Sequence, residues 1–500
     1  MAQLADLIKD FPVELPALAL AQMHLDSRRI KPGDLFVAIQ GHEIDGRRFI
    51  SQAIAAGAAA ILSHGDVAEL IWHSAEQGQK AQKVPEVRLP ELNSRLPALA
   101  SAFYDNPGAA MDIVGVTGTN GKSSVCAMVA QLADQVNGGG AMVGTLGWGR
   151  FDQVHETANT TPDAVVFQQI LRQLADEQVT TLGIEVSSHG LVQGRVDAVP
   201  IKTAVFTNLS REHLDYHGDM DSYFEAKKRL FVLPGLAHAV VNVDSNEGRI
   251  LTTQISTEVS LCAVGAIDSV REVGSEHFIG YRNLSRFADG LRCELESSWG
   301  SADFYLPLLG DFNLDNFLCA AGALCLNGAA FEAVITAAAK LKPAAGRMEL
   351  FHKEGLPALV VDYAHTPDAL EKALLASRHH CRGQLWCVFG CGGDRDKGKR
   401  PLMAKVAEAH AEQLIVTADN PRTEPQAQIT SDILRGLSEH APVSVIEDRT
   451  KAITEAFRQA ANEDLILVAG KGHEDYQVVG EQVLTHDDRL IARQLLEEAI

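Results

Sequence analysis

The sequence of 500 residues contains no long apolar run, and this absence limits where the protein can reside. A membrane-spanning helix needs about 18 consecutive apolar residues, and no such stretch occurs. The opening sequence, MAQLADLIKDF, lacks the basic start and apolar centre of a secretory signal. We therefore expect a cytoplasmic protein without membrane contact.

Paired cysteines are also absent. The eight cysteines form no Cys-x-x-Cys pair, and most have apolar neighbours in the sequence. Cysteines in this setting are far more often buried free thiols than zinc ligands or disulfide partners. The pattern predicts a protein of a reducing compartment.

Positive charge is scarce. The chain has 44 Lys and Arg against 65 Asp and Glu, which gives a formal net charge of -21. This excess of negative charge argues against binding to nucleic acid, whose phosphates require a basic surface. It also makes any local basic cluster a candidate site for an anionic small molecule. A monomer is the default expectation.

The length predicts several domains, because one domain usually has about 100–200 residues. Short apolar segments alternate with helical stretches such as 163–176, which is typical of a parallel α/β sheet. Several prolines are spread through residues 84–107, and this pattern indicates a linker. We predict an α/β protein with a small N-terminal α/β domain (1–90), a central domain with a parallel sheet (91–340) and a C-terminal doubly wound Rossmann-like domain (341–500). The glycine-rich turn that ends in Lys122 and Ser123 makes the central domain a P-loop-type ATPase domain.

The most informative segment is an apolar strand at 114–116 that runs into a glycine-rich turn. Glycines allow backbone N–H groups to converge on an anion, and a following lysine neutralises the β and γ phosphates. The general P-loop spacing fails by one residue, since Val116 stands where that pattern has glycine. The segment still predicts an ATP site that comprises Gly118, Thr119, Asn120, Gly121, Lys122, Ser123 and Ser124.

Polar residues follow several other apolar segments at the point where each predicted strand ends. In the last third of the chain, four such ends carry Gly, His or charged residues, at 362–365, 390–395, 419–422 and 470–474. Ligands gather outside the carboxyl ends of strands in open α/β sheets. Any one of these ends can be a solvated turn, but four together favour one functional edge.

Four motifs make the chain similar to the Mur ligase family over nearly its whole length. They are the phosphate loop at 118–123, Glu-Val-Ser-Ser-His at 185–189, Asn-Leu-Ser-Arg-Glu-His-Leu-Asp at 208–215 and Asp-Tyr-Ala-His-Thr-Pro at 362–367. A fifth motif, Asp-Asn-Pro-Arg at 419–422, resembles the members that add meso-diaminopimelate. Lysine-adding relatives replace that final arginine.

The resemblance implies an ATP-dependent ligase that joins meso-2,6-diaminopimelate to UDP-N-acetylmuramoyl-L-alanyl-D-glutamate through an acyl phosphate, in cytoplasmic peptidoglycan precursor synthesis. Related ligases are the first alternative: one that adds lysine, one that recycles murein peptides, or a folylpolyglutamate synthetase. A non-catalytic nucleotide sensor is the second. The motif at 419–422 counts against the related ligases. The presence of Lys122, Glu185, His213 and Lys227, which the resemblance implies are catalytic, counts against the sensor.

The resemblance also implies ATP and Mg2+ in the central domain. The catalytic and metal-binding residues it implies are Lys122, Ser123, Glu185, His213 and Lys227, with Lys227 as N6-carboxylysine. Histidine is an unusual Mg2+ ligand, so chemistry alone favours a structural role for His213. A basic run is usually a solvated helix face, and the neighbouring Lys228 leaves a register shift of one open.

For the nucleotide, the resemblance implies that Asn313 and Asn316 contact adenine. Amide side chains can match the donor and acceptor edge of adenine, although Asn is also common at helix starts. Arg347 and Asp362 are implied near phosphate and ribose.

The resemblance assigns the UDP-muramyl substrate to two groups of residues. The N-terminal domain contributes Leu25, Ser27, His42, Glu43 and Ile44, and the central domain contributes Asn159, Thr160, Thr161, Ser187, Gln193 and Arg195. Ordinary turn chemistry around Gly41 and Gly46 explains the segment 42–44 nearly as well.

Diaminopimelate is expected to meet two arginines, Arg395 and Arg422, because guanidinium groups bind carboxylates bidentately. It differs from lysine by one distal carboxylate, and a buried arginine left without an anion is costly. The alternative for Arg422 is a surface arginine after a proline turn. By resemblance the pocket also includes Asp419, Asn420, Pro421, Gly470 and Glu474, with Glu474 accepting from the distal ammonium.

Overall fold

The structure is a computed structural model that describes residues 2–41, 44–77, 80–157 and 159–498. Strands and helices alternate along most of the chain, as the sequence predicts.

The strands are β1 (Ala2–Gln3), β2 (Ala19–Leu20), β3 (Met23–His24), β4 (Leu35–Ala38), β5 (Ala60–His64), β6 (Glu69–Gln77), β7 (Lys80–Leu89), β8 (Asp112–Thr117), β9 (Gly140–Gly144), β10 (Gly147–Arg150), β11 (Gln153–His155), β12 (Thr181–Glu185), β13 (Ile201–Phe206), β14 (His238–Asn242), β15 (Ser260–Ala266), β16 (His277–Phe287), β17 (Gly290–Ser297), β18 (Gly300–Leu306), β19 (Glu349–Phe351), β20 (Ala358–Asp362), β21 (Leu385–Phe389), β22 (Gln413–Val416), β23 (Val443–Val445), β24 (Leu465–Ala469), β25 (Tyr476–Val479) and β26 (Gln482–Thr485). The α-helices are α1 (Leu4–Leu7), α2 (Ile50–Ala56), α3 (Leu92–Phe103), α4 (Lys122–Asn137), α5 (Ala164–Asp176), α6 (Ser188–Val192), α7 (Leu214–His217), α8 (Met220–Lys228), α9 (Asn246–Thr252), α10 (Ile267–Val273), α11 (Asp311–Leu326), α12 (Phe331–Ala338), α13 (Pro367–His380), α14 (Lys399–His410), α15 (Gln426–Leu434), α16 (Arg449–Gln459) and α17 (Asp488–Glu498).

The described chain divides into two compact units. The first contains the residues up to 122, 137–240 and 250–261, and the second contains 123–136, 241–249 and the residues from 262 onward. In the first unit, one sheet has the order β3-β4-β5-β7-β6, parallel except for β6. The other runs β11-β10-β9-β12-β8-β13-β14, and β9, β12, β8 and β13 are parallel neighbours. The phosphate loop follows β8, near the centre of this sheet.

The second unit contains a six-stranded sheet in the order β19-β20-β24-β21-β22-β23, in which only β19 is antiparallel. Alternate residues of its strands face opposite layers. Val360 packs with helices α13, α14 and α15, whereas Leu359 and Val361 pack with α16 and α17. Helices on both faces of a parallel sheet confirm the predicted doubly wound arrangement.

Most sequence-based expectations for the fold are confirmed. The predicted strands at the site edges are present, the helix predicted at 163–176 is α5, and the eight cysteines are free thiols, seven of them buried. The linker predicted at 84–107 is wrong, because that stretch holds the end of β7 and all of α3. Leu92, Leu96 and Leu99 bury one face of α3. Burying each large apolar side chain is worth about 1.5–3 kcal/mol, which together outweighs the cost of Pro97 inside the helix.

None of the helices among the described residues is long and apolar enough to cross a membrane.

A fully buried ion pair joins two strand ends in the second unit. Arg449 begins α16 and Asp488 begins α17, and the Arg449 guanidinium donates to both Asp488 oxygens at 2.8 and 2.7 Å. Arg449 also donates to the carbonyls of Ala418, beyond β22, and of Ala469, at the end of β24, at 3.4 and 3.0 Å. Burial opposes the charge on Asp488, but Arg449 outweighs it and holds the pKa of Asp488 well below its usual range.

We expect Asp488→Asn to lower the free energy of unfolding by about 3–5 kcal/mol, because Arg449 is then buried without a countercharge. Urea unfolding measures this. The native pKa of Asp488 lies below the unfolded value of about 3.9, so the pair stabilises the fold fully above that pH and progressively less as the pH falls towards the native pKa. The difference in the free energy of unfolding between wild type and variant should therefore shrink as the solution becomes acidic.

The control is Asp368→Asn, which removes an exposed ion pair with Lys372. Such a pair is worth less than about 1 kcal/mol. Equal losses in the two variants would contradict a special role for the buried pair.

Candidate active site

The phosphate loop connects β8 to α4 and contains two glycines with positive φ. Gly118 has φ of 147° and Gly121 has φ of 91°. A Cβ on Gly118 would overlap the Thr207 hydroxyl and lie 3.1 Å from the backbone nitrogen of Asn208. Glycine is therefore required at 118 for both conformation and space.

The segment after β13 holds the phosphate loop in place. The backbone N–H of Thr119 donates to the Asn208 carbonyl at 2.9 Å. The Asn208 side chain accepts from the Asn120 N–H at 3.0 Å and donates to the Asn120 carbonyl at 3.1 Å. The Thr207 hydroxyl donates to the same carbonyl at 2.6 Å. These bonds shape the loop before any nucleotide binds.

Two lysines converge on the loop carbonyls. Lys122 donates through Nζ to the carbonyls of Gly118 and Thr119 at 2.9 and 2.7 Å. Lys227, 1% exposed, donates to the Gly118 carbonyl at 2.8 Å, and its Nζ lies 4.3 Å from the centre of the Tyr223 ring. Burial, with Lys122 nearby, lowers the pKa of Lys227 well below its ordinary value.

Glu185 ends β12 and is almost fully buried. One of its carboxylate oxygens accepts from the Thr145 N–H at 2.8 Å, and the other accepts from the Thr145 hydroxyl at 3.3 Å. The Thr145 and Thr160 hydroxyls lie 3.0 Å apart. The result is a small cluster of oxygen atoms of the kind that bind hard metal ions, and it lies beside the strand that precedes the phosphate loop.

The residues predicted to hold the muramyl-peptide end are joined by hydrogen bonds. The Thr161 hydroxyl donates to the Glu185 carbonyl at 2.8 Å, and the Ser187 N–H donates to Thr161 Oγ1 at 3.0 Å. Arg195 donates to the Thr161 carbonyl at 2.7 Å and to the Gln193 side chain at 2.9 Å. Residues from three separate segments of the chain therefore form one hydrogen-bonded polar group.

His213 lies among other histidine and tyrosine rings in the first unit. It adopts φ of 56° and its ring centre lies 5.1 Å from that of His189 and 6.1 Å from that of Tyr223. Its side chain is 45% exposed. Across the part of the chain that the structure describes, no three His, Cys, Asp or Glu side chains are grouped to hold a metal ion.

A cavity of about 1160 Å³ lies in the first unit. Arg28, Arg29 and Lys31 line one side of it, and Trp148 and Asn159 line another. Acidic residues that include Asp26 and Asp34 also line the cavity, and Arg28 is paired with Asp26 at 2.7 Å, so the lining carries both signs of charge.

Three of the predicted uridine-side residues are described. Ser27 is buried, with its hydroxyl donating to the Gln52 side chain at 3.1 Å, Leu25 packs against the core, and Ile44 is exposed. His42 and Glu43 lie outside the described residues.

Ser123 and Ser124 lie in the first turn of α4, in the second unit. In that unit, Asn313 and Asn316 are 4% exposed on α11. The Asn313 amide donates to the Leu309 carbonyl at 2.8 Å, and the Asn316 amide donates to Asn313 Oδ1 at 3.3 Å. Both side chains are thus held in fixed orientations.

Arg347 and Asp362 lie close to Tyr363. The Arg347 guanidinium carbon is 4.7 Å from the centre of the Tyr363 ring. Asp362 accepts from the N–H groups of Met348 and Ala364, each at 2.8 Å, and burial raises its pKa. These bonds join the segment that contains Arg347 to the end of β20.

The predicted amino-acid pocket is organised around Asn420, which is almost completely buried. Its amide donates to Glu474 at 2.9 Å, and its Oδ1 accepts from Lys471 Nζ at 3.1 Å. Lys471, fully buried, also donates to Glu474 at 3.2 Å. A Cβ on Gly470 would come within 2.7 Å of Asp419 Oδ2, so the two strand ends are in direct contact.

Arg422 adopts φ of 52° and pairs with the hairpin β25–β26 through a hydrogen bond from its N–H to the Val478 carbonyl at 3.0 Å. Its guanidinium donates to the carbonyls of Gly393 and Asn420 at 2.9 and 3.4 Å. A Cβ on Gly392 would lie 2.9 Å from Arg422 Nη1 and 3.9 Å from Arg395 Cγ. Gly392 therefore lies beside both predicted carboxylate-binding arginines.

Sequence reasoning missed several residues that organise these clusters. Thr207 and Asn208 follow a predicted strand end, where polar residues are expected to gather near the phosphate loop, but the sequence did not indicate which hydrogen bonds they form with it. Thr145 and Tyr223 had no signal beyond their polarity. Lys471 lies between two glycines in the predicted strand end at 470–474, but nothing in the sequence indicated that it is buried and paired with Glu474.

Three known families match successive parts of the chain. The sequence matches "Mur ligase family, catalytic domain" over residues 20–104, "Mur ligase middle domain" over 116–324 and "Mur ligase, glutamate ligase domain" over 346–472. A curated relative is the UDP-N-acetylmuramoyl-L-alanyl-D-glutamate--2,6-diaminopimelate ligase of Haemophilus influenzae (strain PittEE). It is 44% identical over 480 residues, which cover 96% of this chain and 97% of the relative.

Solved structures agree with these matches. A UDP-N-acetylmuramoyl-L-alanyl-D-glutamate--2,6-diaminopimelate ligase is 33% identical, with a TM-score of 0.69 and 99% of both chains covered. Mycobacterium tuberculosis folylpolyglutamate synthase, solved with ADP and AMPPCP, has a TM-score of 0.60 at 18% identity, over 76% of this chain and 92% of that one. The second likeness shows the fold alone.

The chain belongs to the Mur ligase family, as its motifs predict. It is accordingly an ATP-dependent ligase with a three-domain family architecture.

We expect Asn208→Ala to weaken ATP binding about tenfold, because two hydrogen bonds that shape the phosphate loop are lost and each is worth about 0.5–1.5 kcal/mol. Isothermal titration with ATP and Mg2+ measures this. Asn93→Ala is the matched control, since it removes one surface hydrogen bond to the Gln40 carbonyl. Unchanged ATP affinity in the Asn208 variant would mean that the loop keeps its shape without this contact.

Proposed function

We propose that the chain is the ligase that adds meso-2,6-diaminopimelate to UDP-N-acetylmuramoyl-L-alanyl-D-glutamate at the expense of ATP, in peptidoglycan precursor synthesis. The observation that carries the proposal is the pocket around Asn420, where Arg422 and Arg395 flank Gly392 and Lys471 is paired with Glu474. The full-length relatives at 44% identity carry the name of the same activity. This pocket supplies cationic groups for more than one carboxylate.

The proposed roles at the ATP site follow the contacts of the loop. Gly118, Thr119, Asn120 and Gly121 offer backbone N–H groups to the phosphates, and Lys122 can turn from the loop carbonyls to phosphate oxygens. Asn313 and Asn316 contact adenine, and Arg347 and Asp362 contact phosphate and ribose. Ser123 and Ser124 add hydroxyls at the start of α4.

Mg2+ is proposed to bind Ser123, Glu185, His213 and carbamylated Lys227. The buried carboxylate of Glu185 and the threonine hydroxyls around it fit a hard cation, which prefers oxygen ligands. When bound, Mg2+ neutralises phosphate charge during transfer.

Carbamylation of Lys227 fits its surroundings. Reaction of the neutral amine with CO2 forms an N–C bond and releases one proton, which leaves a carboxylate. The burial of Lys227 favours the neutral amine that this reaction needs. The carbamate keeps one hydrogen on Nζ, so the modified side chain can still donate to the Gly118 carbonyl while its new carboxylate points away from that oxygen.

The substrate is proposed to lie along the first unit. Leu25, Ser27, His42, Glu43 and Ile44 hold the uridine side. Among the residues that line the cavity of about 1160 Å³, Arg29 and Lys31 can meet the charge of the diphosphate. Asn159, Thr160, Thr161, Ser187, Gln193 and Arg195 hold the muramyl dipeptide. Asp419, Asn420, Pro421, Arg422, Gly470, Glu474 and Arg395 hold diaminopimelate.

The reaction has two steps. A carboxylate oxygen of the dipeptide forms a bond to the γ-phosphorus while the bond to ADP breaks, which Lys122 assists by neutralising charge. The amine of diaminopimelate then attacks the acyl carbon and loses a proton, and phosphate leaves. Asn420 and Lys471 hold Glu474 in place. Glu474 orients the distal ammonium of diaminopimelate so that the reacting amine faces the acyl carbon.

The organisation of the chain is proposed to follow its three family matches. The matches at 20–104, 116–324 and 346–472 agree with the number and order of the proposed domains, 1–90, 91–340 and 341–500, although the first match extends beyond residue 90. We also propose a cytoplasmic monomer whose partners are small molecules, without nucleic acid or membrane. Lysine addition, murein peptide recycling, folylpolyglutamate synthesis and nucleotide sensing are the competing functions, and one assay separates them from diaminopimelate addition.

The assay measures phosphate release from ATP with the UDP-muramyl dipeptide and either meso-diaminopimelate, L-lysine or no amino acid. We expect release only with diaminopimelate. We expect Gly392→Ala to raise the KM for diaminopimelate about tenfold, since its Cβ displaces the Arg422 guanidinium and about 1.4 kcal/mol is tenfold in affinity. The KM for ATP should not change.

Gly398→Ala is the matched control, because its Cβ would approach only Asp396 Oδ1, at 3.1 Å. Release with lysine would overturn the specificity. Absence of release with both amino acids would favour murein peptide recycling, folylpolyglutamate synthesis or nucleotide sensing. An equal rise in both KM values for Gly392→Ala would mean that the glycine acts on the fold rather than on the pocket.

Carbamylation predicts a carbamate carbon signal by NMR after exchange with 13C-bicarbonate. The signal should vanish in Lys227→Gln and persist in Lys228→Gln, because Lys228 is more exposed and pairs with Glu225. Loss of the signal in the Lys228 variant alone would shift the assignment by one residue.

A further inference from the structure

His380, the last residue of α13, forms two hydrogen bonds that determine its protonation. Its Nδ1 lies 2.5 Å from the Phe287 carbonyl, and its Nε2 lies 3.1 Å from the Gly310 nitrogen. A carbonyl only accepts and a backbone N–H only donates, so Nδ1 carries the proton and Nε2 accepts. The ring is 6% exposed, and burial lowers its pKa. His380 is therefore neutral with a single defined tautomer.

The second bond leads directly to α11. Gly310 immediately precedes that helix and adopts φ of 85°. A Cβ on Gly310 would lie 3.2 Å from the Ala376 Cβ of α13, so the two helices meet closely at this point. Phe312, in the first turn of α11, packs on the same core as Ala376. The start of α11 is thus set against α13.

Hydrogen bonds continue from Gly310 to the asparagines of α11. The Gly310 carbonyl accepts from the Asn313 N–H at 2.9 Å. The Asn313 amide is held by the Leu309 carbonyl, and Asn316 donates to Asn313 Oδ1. An unbroken series of contacts runs from the His380 ring to both amide side chains.

Other polar groups face His380 from three elements. Arg286 of β16 forms an ion pair with Asp311 of α11, and His379 precedes His380 on α13. Arg286 and Asp311 satisfy each other at the surface, whereas the His380 bonds are buried. His380 is the group that joins α13 to the backbone at the start of α11.

We propose that His380 is a positioning residue of the ATP site, which fixes Gly310 and through it the orientation of Asn313 and Asn316. The inference rests on the proposed contact of these asparagines with adenine. It adds to the proposed function a residue outside the nucleotide pocket, on the helix that follows the Asp362 segment. It also makes α13 a determinant of ATP affinity rather than of packing alone.

The test compares two substitutions that each keep one half of the imidazole. His380→Asn keeps a donor near Nδ1 and loses the acceptor for Gly310, whereas His380→Gln can place an acceptor near the Nε2 position. We expect the KM for ATP to rise about tenfold in His380→Asn, which corresponds to about one hydrogen bond. We expect it to stay within about threefold in His380→Gln. The KM values for the other substrates should be unchanged in both.

His379→Asn is the matched control, since His379 is adjacent on the same helix and has no part in the bond to Gly310. Thermal unfolding of all variants separates loss of fold from loss of affinity, and Asn313→Ala tests the adenine contact itself. If Asn313→Ala raises the KM for ATP and His380→Asn does not, the positioning role is wrong while the proposed site stands. If neither does, the adenine assignment has failed and the inference with it. Equal effects of His380→Asn on every substrate would indicate a structural role only.

Discussion

Parallel strands bring their carboxyl ends to one edge of a sheet, and the chemistry of this protein depends on that constraint. In the first unit, β12, β8 and β13 are neighbours, so Glu185, the phosphate loop and Asn208 begin one strand apart. In the second unit, β20, β24, β21 and β22 are neighbours, which aligns Asp362, Gly470 and the segments after β21 and β22. Adjacent strands are about 4.8 Å apart, so side chains from three of them can reach one small molecule.

Proximity at an edge does not by itself fix orientation, and the structure supplies orientation with buried polar groups. Arg400, fully buried, donates to Glu424 and Asp432 and to the Gly392 carbonyl beside the amino-acid pocket. Arg449 joins the ends of β22 and β24 in the same way. Compared with an apolar pair of the same shape, a buried ion pair adds little net stability, because desolvation offsets its attraction, whereas removing one partner alone is costly. What these pairs provide here is a fixed connection between loops that follow different strands.

Sequence alone predicted the strands that end at the candidate site, the doubly wound sheet and the edge at which polar residues gather, because hydrophobic periodicity and strand-end residues are local signals. It did not predict how Asn208 binds Asn120, since the partners lie 88 residues apart. The linker expected at 84–107 was wrong because apolar spacing in α3 outweighs its proline. The positions of Thr145 and Lys471 likewise depend on which loops meet, and only the tertiary structure determines that.

The cations of the amino-acid pocket differ in how their charges are met. Lys471 is paired inside the protein with Glu474, so that its charge is balanced before a ligand arrives. The hydrogen bonds of Arg422 go to the carbonyls of Gly393 and Asn420, which orient the guanidinium but carry no full negative charge. In the proposed role of this pocket, a ligand carboxylate at Arg422 accepts two oriented hydrogen bonds and neutralises the guanidinium charge, whereas an amino acid without that carboxylate does neither. The proposed selectivity for a second carboxylate follows from this difference, and the backbone that holds Arg422 at positive φ is part of it.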